Sequence, residues 1–301
     1  MNRTIRALFA ALILTGITQV SLGQAQRGSA TEPVIVPPAV EIPRPTAAEI
    51  ATARAAFDKF VKRADPATRA VLRKYPALVE VRPPGPNSAI VPGLAPPFQA
   101  KHQANLQVAR QGDAEVLFMG DSITDFWRNP EGAFAGKPVL DKYFNQYRIA
   151  NFGIAGDTTQ GVLFRLQDGE GQGFSPRAIM LMIGTNNTAR NSAAEIAEGI
   201  GAIVIKLRQA FPQARILLLG VFPRGRANDP VRATIAEINR TIAKLHDGNR
   251  VHYLDIGAKF LDADGNIPAD VMSDGLHPST KGYEIWAQAV SEPLSGLMAG
   301  R

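Results

Sequence analysis

Apolar positions change their spacing near residue 101, and the change divides the chain. Beyond it, short apolar runs at 115–119, 147–152, 178–183, 215–219 and 251–254 alternate with helical spacing around 158–166, 193–210 and 230–246. A last helix is predicted over about 280–298, with Pro293 as its expected break. The first run is continuous rather than alternating. Val116-Leu117-Phe118-Met119 has no polar member, which suits a strand covered on both faces. Five such strands separated by helices predict an α/β fold in three layers, a parallel five-stranded sheet between two sets of helices.

Ahead of the alternation lies a different pattern. Thr46-Ala47-Ala48-Glu49 is a capping box, and Ile50, Ala53, Phe57, Phe60 and Val61 follow it at helical spacing. A shorter helix follows Pro66, and the proline- and glycine-rich stretch 83–97 ends this segment. The two helices are expected to brace the main domain. Residues 26 to about 45, rich in proline and small residues, read as an extended and mobile leader. Residues 1–25 read as a secretory signal, with Arg3 and Arg6, an apolar stretch from 7 to 17, and small residues at cleavage spacing. That stretch falls short of the ~20 residues that span a bilayer. The expected organisation is a signal peptide at 1–25, a proline-rich leader and helical extension at 26–100, and an α/β domain at 101–301. The mature protein is expected in the periplasm or outside the cell.

Composition removes several classes. A net charge of +6 comes without any basic run of five residues or basic–aromatic interleaving, so nucleic acid is not an expected partner. The absence of cysteine excludes disulfides, thiolate metal sites and lipoprotein acylation. No His-Glu-x-x-His sequence or acidic calcium loop is present, so neither metal nor cofactor is expected. The glycine cluster at 169–173 follows a helix and lacks the lysine and serine of a phosphate loop, and reads as a turn.

Candidate chemistry gathers at strand ends, where open α/β sheets bind ligands. Gly120-Asp121-Ser122-Ile123-Thr124 follows the first strand and offers Ser122 as a nucleophile in need of a base. Of four histidines, His102, His246 and His252 occupy positions with structural explanations. His277 stands in a loop bounded by Gly275 and Pro278, with Asp274 three residues before it to orient the ring. Asp255, at the end of the fifth strand, is the rival acid. Donors for an oxyanion are offered after the second strand by the glycines of Gly153-Ile154-Ala155-Gly156, and after the third by Gly184-Thr185-Asn186-Asn187. The one candidate flap, 127–144, is short and broken by Gly132, Gly136 and Pro138, which favours short acyl groups.

These blocks together resemble the SGNH hydrolases, also called the GDSL esterase/lipase family, over roughly 112–298. The resemblance implies Ser122 as nucleophile, Asp274 and His277 as acid and base, and the Ser122 and Gly156 N–H groups with the Asn186 amide as oxyanion hole. Asn151-Phe152-Gly153-Ile154-Ala155-Gly156-Asp157-Thr158-Thr159 and Phe222-Pro223-Arg224-Gly225 look most like the catalytic subunits of intracellular platelet-activating-factor acetylhydrolase and their bacterial relatives. A flavodoxin-like three-layer fold and metal-free hydrolysis of short esters follow as expectations. The signal and N-terminal helices have no counterpart in those subunits. The expected substrate is therefore a small-molecule or polymer-linked ester, such as an O-acetylated carbohydrate. The alternatives are a phospholipid or aryl ester hydrolysed by the same site, and a non-catalytic envelope-binding protein.

Overall fold

The computed structural model describes residues 33–81 and 85–300. The predicted signal, residues 26–32 of the leader, and Pro83 lie outside the described residues. Five strands, β1 (Val116–Gly120), β2 (Ile149–Asn151), β3 (Ala178–Met182), β4 (Arg215–Leu219) and β5 (Val251–Leu254), form one parallel sheet in the order β2-β1-β3-β4-β5. After β2 the chain crosses back over β1 to β3, so the loops at their carboxyl ends part at a switch point. Helices follow in chain order as α1 (Ala47–Arg63), α2 (Pro66–Lys74), α3 (Gln99–Gln111), α4 (Ser122–Asp125), α5 (Lys137–Phe144), α6 (Thr159–Arg165), α7 (Ala193–Ala210), α8 (Pro230–Ile242) and α9 (Thr280–Met298).

Successive strand residues point to opposite faces, and both faces are buried. Leu117, Met119, Ile179, Leu181, Ile216 and Leu218 pack with residues of α6, α7 and α8. Val116, Phe118, Met180, Met182, Leu217 and Leu219 pack on the other side with residues of α5 and α9. Each fully buried aliphatic or aromatic side chain contributes roughly 1.5–3 kcal/mol. On the α9 side Trp127 lies against Tyr283 and Trp286, with ring centroids 4.5 and 5.0 Å away. The predicted three-layer α/β fold is the observed one.

Boundaries differ where local signals compete. β2 is shorter than the apolar run 147–152, because the Asn151 side chain turns the chain by accepting from Gly153 N at 2.9 Å. α8 ends at Ile242 and tightens into a 3₁₀ turn through Leu245. Pro293 does not break α9. Buried Val290, Leu294 and Leu297 hold the helix against the sheet on both sides of it.

The extension divides in two. α1 and α2 form where predicted, capped by Thr46 and Asp65, but neither buries a residue, and Phe57 and Phe60 are exposed. Their apolar spacing is therefore not that of a brace. The contacts are made by flanking segments. Val40 is buried in the core beside α7, and Arg44 pairs with buried Glu198 at 2.8 Å, so the described end of the leader is held. Residues 85–98 also pack down, with Asn87 donating to Glu198 at 2.7 Å and Thr159 donating to Ala89 O at 2.8 Å. Among the described residues no helix is long and apolar enough to cross a membrane.

Candidate active site

β1 ends at Gly120, and Ser122 opens the single turn α4, capped by Asp121 through its acceptance from Ile123 N at 3.0 Å. Ser122 is nearly buried, and its Oγ lies 2.9 Å from His277 Nε2. His277 Nδ1 lies 2.6 Å from Asp274 Oδ2. Asp274 also accepts from the backbone N–H groups of Leu276 and His277, at 2.9 and 2.8 Å. Partial burial pushes the Asp274 carboxyl up, but these three donors outweigh it and hold it below its ordinary value. Ionised Asp274 accepts from Nδ1–H, which leaves Nε2 to accept the Ser122 hydroxyl proton. The His277 ring lies against the stacked pair Phe126 and Phe134, 5.1 Å from each ring centroid. The Phe222-Pro223-Arg224-Gly225 block ties into the same loop, with Gly225 N donating to Gly275 O at 2.8 Å.

The oxyanion candidates come from the neighbouring strand ends. Ile154 N donates to Gly120 O at 3.2 Å, which fastens the loop after β2 to the end of β1. Gly156 has φ +86°, a backbone conformation that glycine adopts without the strain a side chain brings. The Asn186 amide donates one N–H to Asp157 O at 2.8 Å, so both candidates belong to one bonded unit and line the same cleft. Among the described residues its second N–H has no partner, which leaves it to donate to a ligand. Asn187 is fully occupied, donating to Thr159, Gln160 and Asn191 and accepting from Thr159 N.

A family model described as GDSL-like lipase/acylhydrolase matches residues 118–285. The chain belongs to that family. Its relatives include platelet-activating factor acetylhydrolase IB subunit alpha2 of Rattus norvegicus, 35% identical over 219 residues, 70% of this chain and 92% of the relative. Subunit alpha1 of Homo sapiens is 34% identical over 203 residues, 67% of this chain and 84% of the relative. In fold, the acylhydrolase resembles a Bacteroides fragilis structure assigned to the same activity class, with a TM-score of 0.54 at 18% identity, covering 67% of this chain and 97% of that one.

The rival acid of this acylhydrolase is engaged elsewhere. Asp255 accepts from Gly257 N at 2.8 Å and from Asn239 at 3.1 Å. His246 and His252 bond to backbone groups in and around β5.

The pattern along the chain did not reveal what lies behind the oxyanion loop. Asp157 pairs with Arg165 at 2.9 Å, and Arg165 pairs in turn with Glu170. Glu170 meets His102 Nδ1 at 2.8 Å, and His102 Nε2 meets half-exposed Asp168 at 2.8 Å. Asp157, Arg165, Glu170 and His102 are fully buried. The 169–173 cluster is indeed a turn, but one that delivers a buried carboxylate. The one local signal is Gly161, where a Cβ would collide with the Asp157 carboxylate. Asp121 was also missed. Its Oδ2 is buried with no partner among the described residues, and burial pushes the carboxyl up to about 7 despite the Ile123 N–H.

Proposed function

We propose that this acylhydrolase is a secreted serine esterase for short-chain esters, O-acetyl groups on carbohydrate above all. Ser122 Oγ attacks the ester carbonyl carbon while its proton passes to His277 Nε2. Asp274 orients the ring and stabilises the imidazolium. The anionic oxygen is held by the Ser122 and Gly156 N–H groups and the free N–H of Asn186. His277 then protonates the departing alcohol, and the same base activates water to release the acid and restore Ser122. The unbroken Ser122–His277–Asp274 hydrogen-bond chain carries this reading.

Two further observations support its details, and a third favours an alternative alcohol. The ends of the candidate flap, Trp127 and Phe144, are buried in the core, which anchors it and supports the preference for short acyl groups. An acetyl aryl ester should exceed a dodecanoyl one in kcat/KM, and the reverse order would refute the short-chain preference. The residues at 1–25 support export, which N-terminal sequencing of the mature protein tests. The names of the mammalian relatives favour a second alcohol class, a lipid carrying an acetyl ester.

A fluorophosphonate probe tests the nucleophile. It should label the protein once, at Ser122, and labelling unchanged in Ser122→Ala would remove that residue from the mechanism.

A further inference from the structure

A cleft of about 400 Å³ opens beside the oxyanion candidates. Thr158, Gln160, Asn186 and Arg190 are among the residues that line it. Another part of the lining comes from outside the α/β domain. It is formed by Ala95 and Phe98, at the end of the N-terminal segment 85–98. The Phe98 ring stands so close to Gly156 that an added Cβ there would lie 3.3 Å from it.

This wall is built in. Gly93 N donates to Gln160 O at 3.1 Å, and Asn191 donates to Ser88 Oγ at 2.8 Å. These bonds, with those of Asn87 and Ala89, fasten the segment along its length to α6, α7 and the loop after β3. The polar groups facing it are equally placed. The Gln160 carbonyl oxygen accepts from Asn187 at 2.9 Å, which fixes its amide and leaves Nε2–H₂ to donate. Arg190 is exposed and carries no side-chain partner among the described residues.

We propose that segment 85–98 completes an alcohol-binding subsite for an oligosaccharide, with Phe98 as the platform for a sugar ring and Gln160 and Arg190 as donors to its hydroxyls. The inference rests on the esterase reading above. A two-carbon acyl group fills a small part of such a volume, so the occupant is the alcohol side of the ester. An apolar ring facing fixed amide and guanidinium donors suits a ligand with apolar faces and a hydroxylated rim. An acyl chain offers those donors no acceptor.

Phe98→Ala and Arg190→Ala are assayed against 4-nitrophenyl acetate and a partially O-acetylated β-1,4-linked oligosaccharide. Each variant should raise KM for the oligosaccharide by about tenfold or more while leaving kcat/KM for the aryl ester nearly unchanged. Phe98→Tyr, which keeps the ring, should restore the oligosaccharide KM. Equal losses on both substrates would make the wall merely structural, and unchanged KM on both would remove the subsite. Exposed Arg190 allows this reading even if Phe98→Ala folds poorly. Wild-type turnover of the aryl acetate and of an acetylated glycerolipid, but not of the oligosaccharide, would overturn the subsite and leave the esterase standing. Turnover of none of the three would instead overturn the esterase reading.

Discussion

The Asp274–His277 arm and the Asp157–Arg165–Glu170–His102 chain both place polar groups around one serine, by opposite means. The arm is local and open: acid and base are three residues apart, and the Asp274 carboxylate is 39% exposed. Its partners are the backbone of its own turn, so its geometry needs little from the rest of the fold. The chain behind the oxyanion loop joins α3, α6 and the turn after it, and is closed to water. The difference is one of environment. A partly exposed carboxylate shares its charge with solvent and needs only the donors of its own turn. Groups closed to water need fixed partners, which a low-dielectric interior strengthens.

Five experiments probe that contrast, from the largest expected effect to the smallest. Ser122→Ala removes the atom the two regions share, and kcat on an aryl acetate should fall by about a million-fold with thermal stability unchanged. Asp274→Asn should lower kcat by about 10⁴-fold, again with little change in Tm, because the carboxylate is exposed. Because its carboxyl is depressed, Asp274 keeps its charge above the ordinary value of 3.8 and loses it only as pH falls further. Arg165→Met should do the reverse in kind. It strands two buried carboxylates, so unfolding free energy should fall by about 3–5 kcal/mol in a denaturant titration. A Tm equal to that of wild type would mean the chain is not a structural support.

Asn186→Ala tests the junction between the regions, since its amide rests on Asp157 O. kcat and kcat/KM should fall together by roughly 10²–10³, with KM nearly constant. If folded Asn186→Ala keeps more than about a third of wild-type kcat, a threshold far above that loss, the residue is only a turn former.

The smallest effect concerns pH and stability. Burial opposes the charge of His102, but Glu170 and Asp168 outweigh it and raise its pKa. A raised pKa adds stability that is full below the unfolded value of 6.5 and is lost as pH rises through the folded one. Asp121, raised from 3.8 to about 7, acts in the same direction, losing its contribution as pH climbs between those values. Asp121→Asn keeps the cap acceptor without the charge. Its Tm relative to wild type should therefore rise between pH 5 and pH 8, and a constant difference would mean Asp121 does not titrate there.

How much was legible in the sequence depended on the distance between partners. Continuous apolar runs identified β1 and β3, because a strand buried on both faces excludes polar residues along its own length. By contrast β2, β4 and β5, which carry Asn151, Arg215 and His252, were legible from their place in the alternation with helices. Ser122, Gly156, Asn186 and the Asp274–His277 pair stood out because each carries its signal within a few residues and at a strand end. The edges of β2 and α8 were misplaced where Asn151 and a 3₁₀ turn ended elements that the apolar pattern would have continued.

The amino-acid sequence by itself determined the alternation of strand and helix, the order of the chemical blocks and the acid–base spacing, since these depend on neighbours along the chain. Only the tertiary structure decided that Ser122 and His277, 155 positions apart, stand 2.9 Å from each other. It also decided that Asp255 is engaged elsewhere, that His102 and Glu170 meet 68 positions apart, and that Phe98 faces Gly156. Such pairings depend on how whole elements pack. A buried ion pair has no periodicity to announce it, because its members need to be near one another only after the sheet and helices have closed.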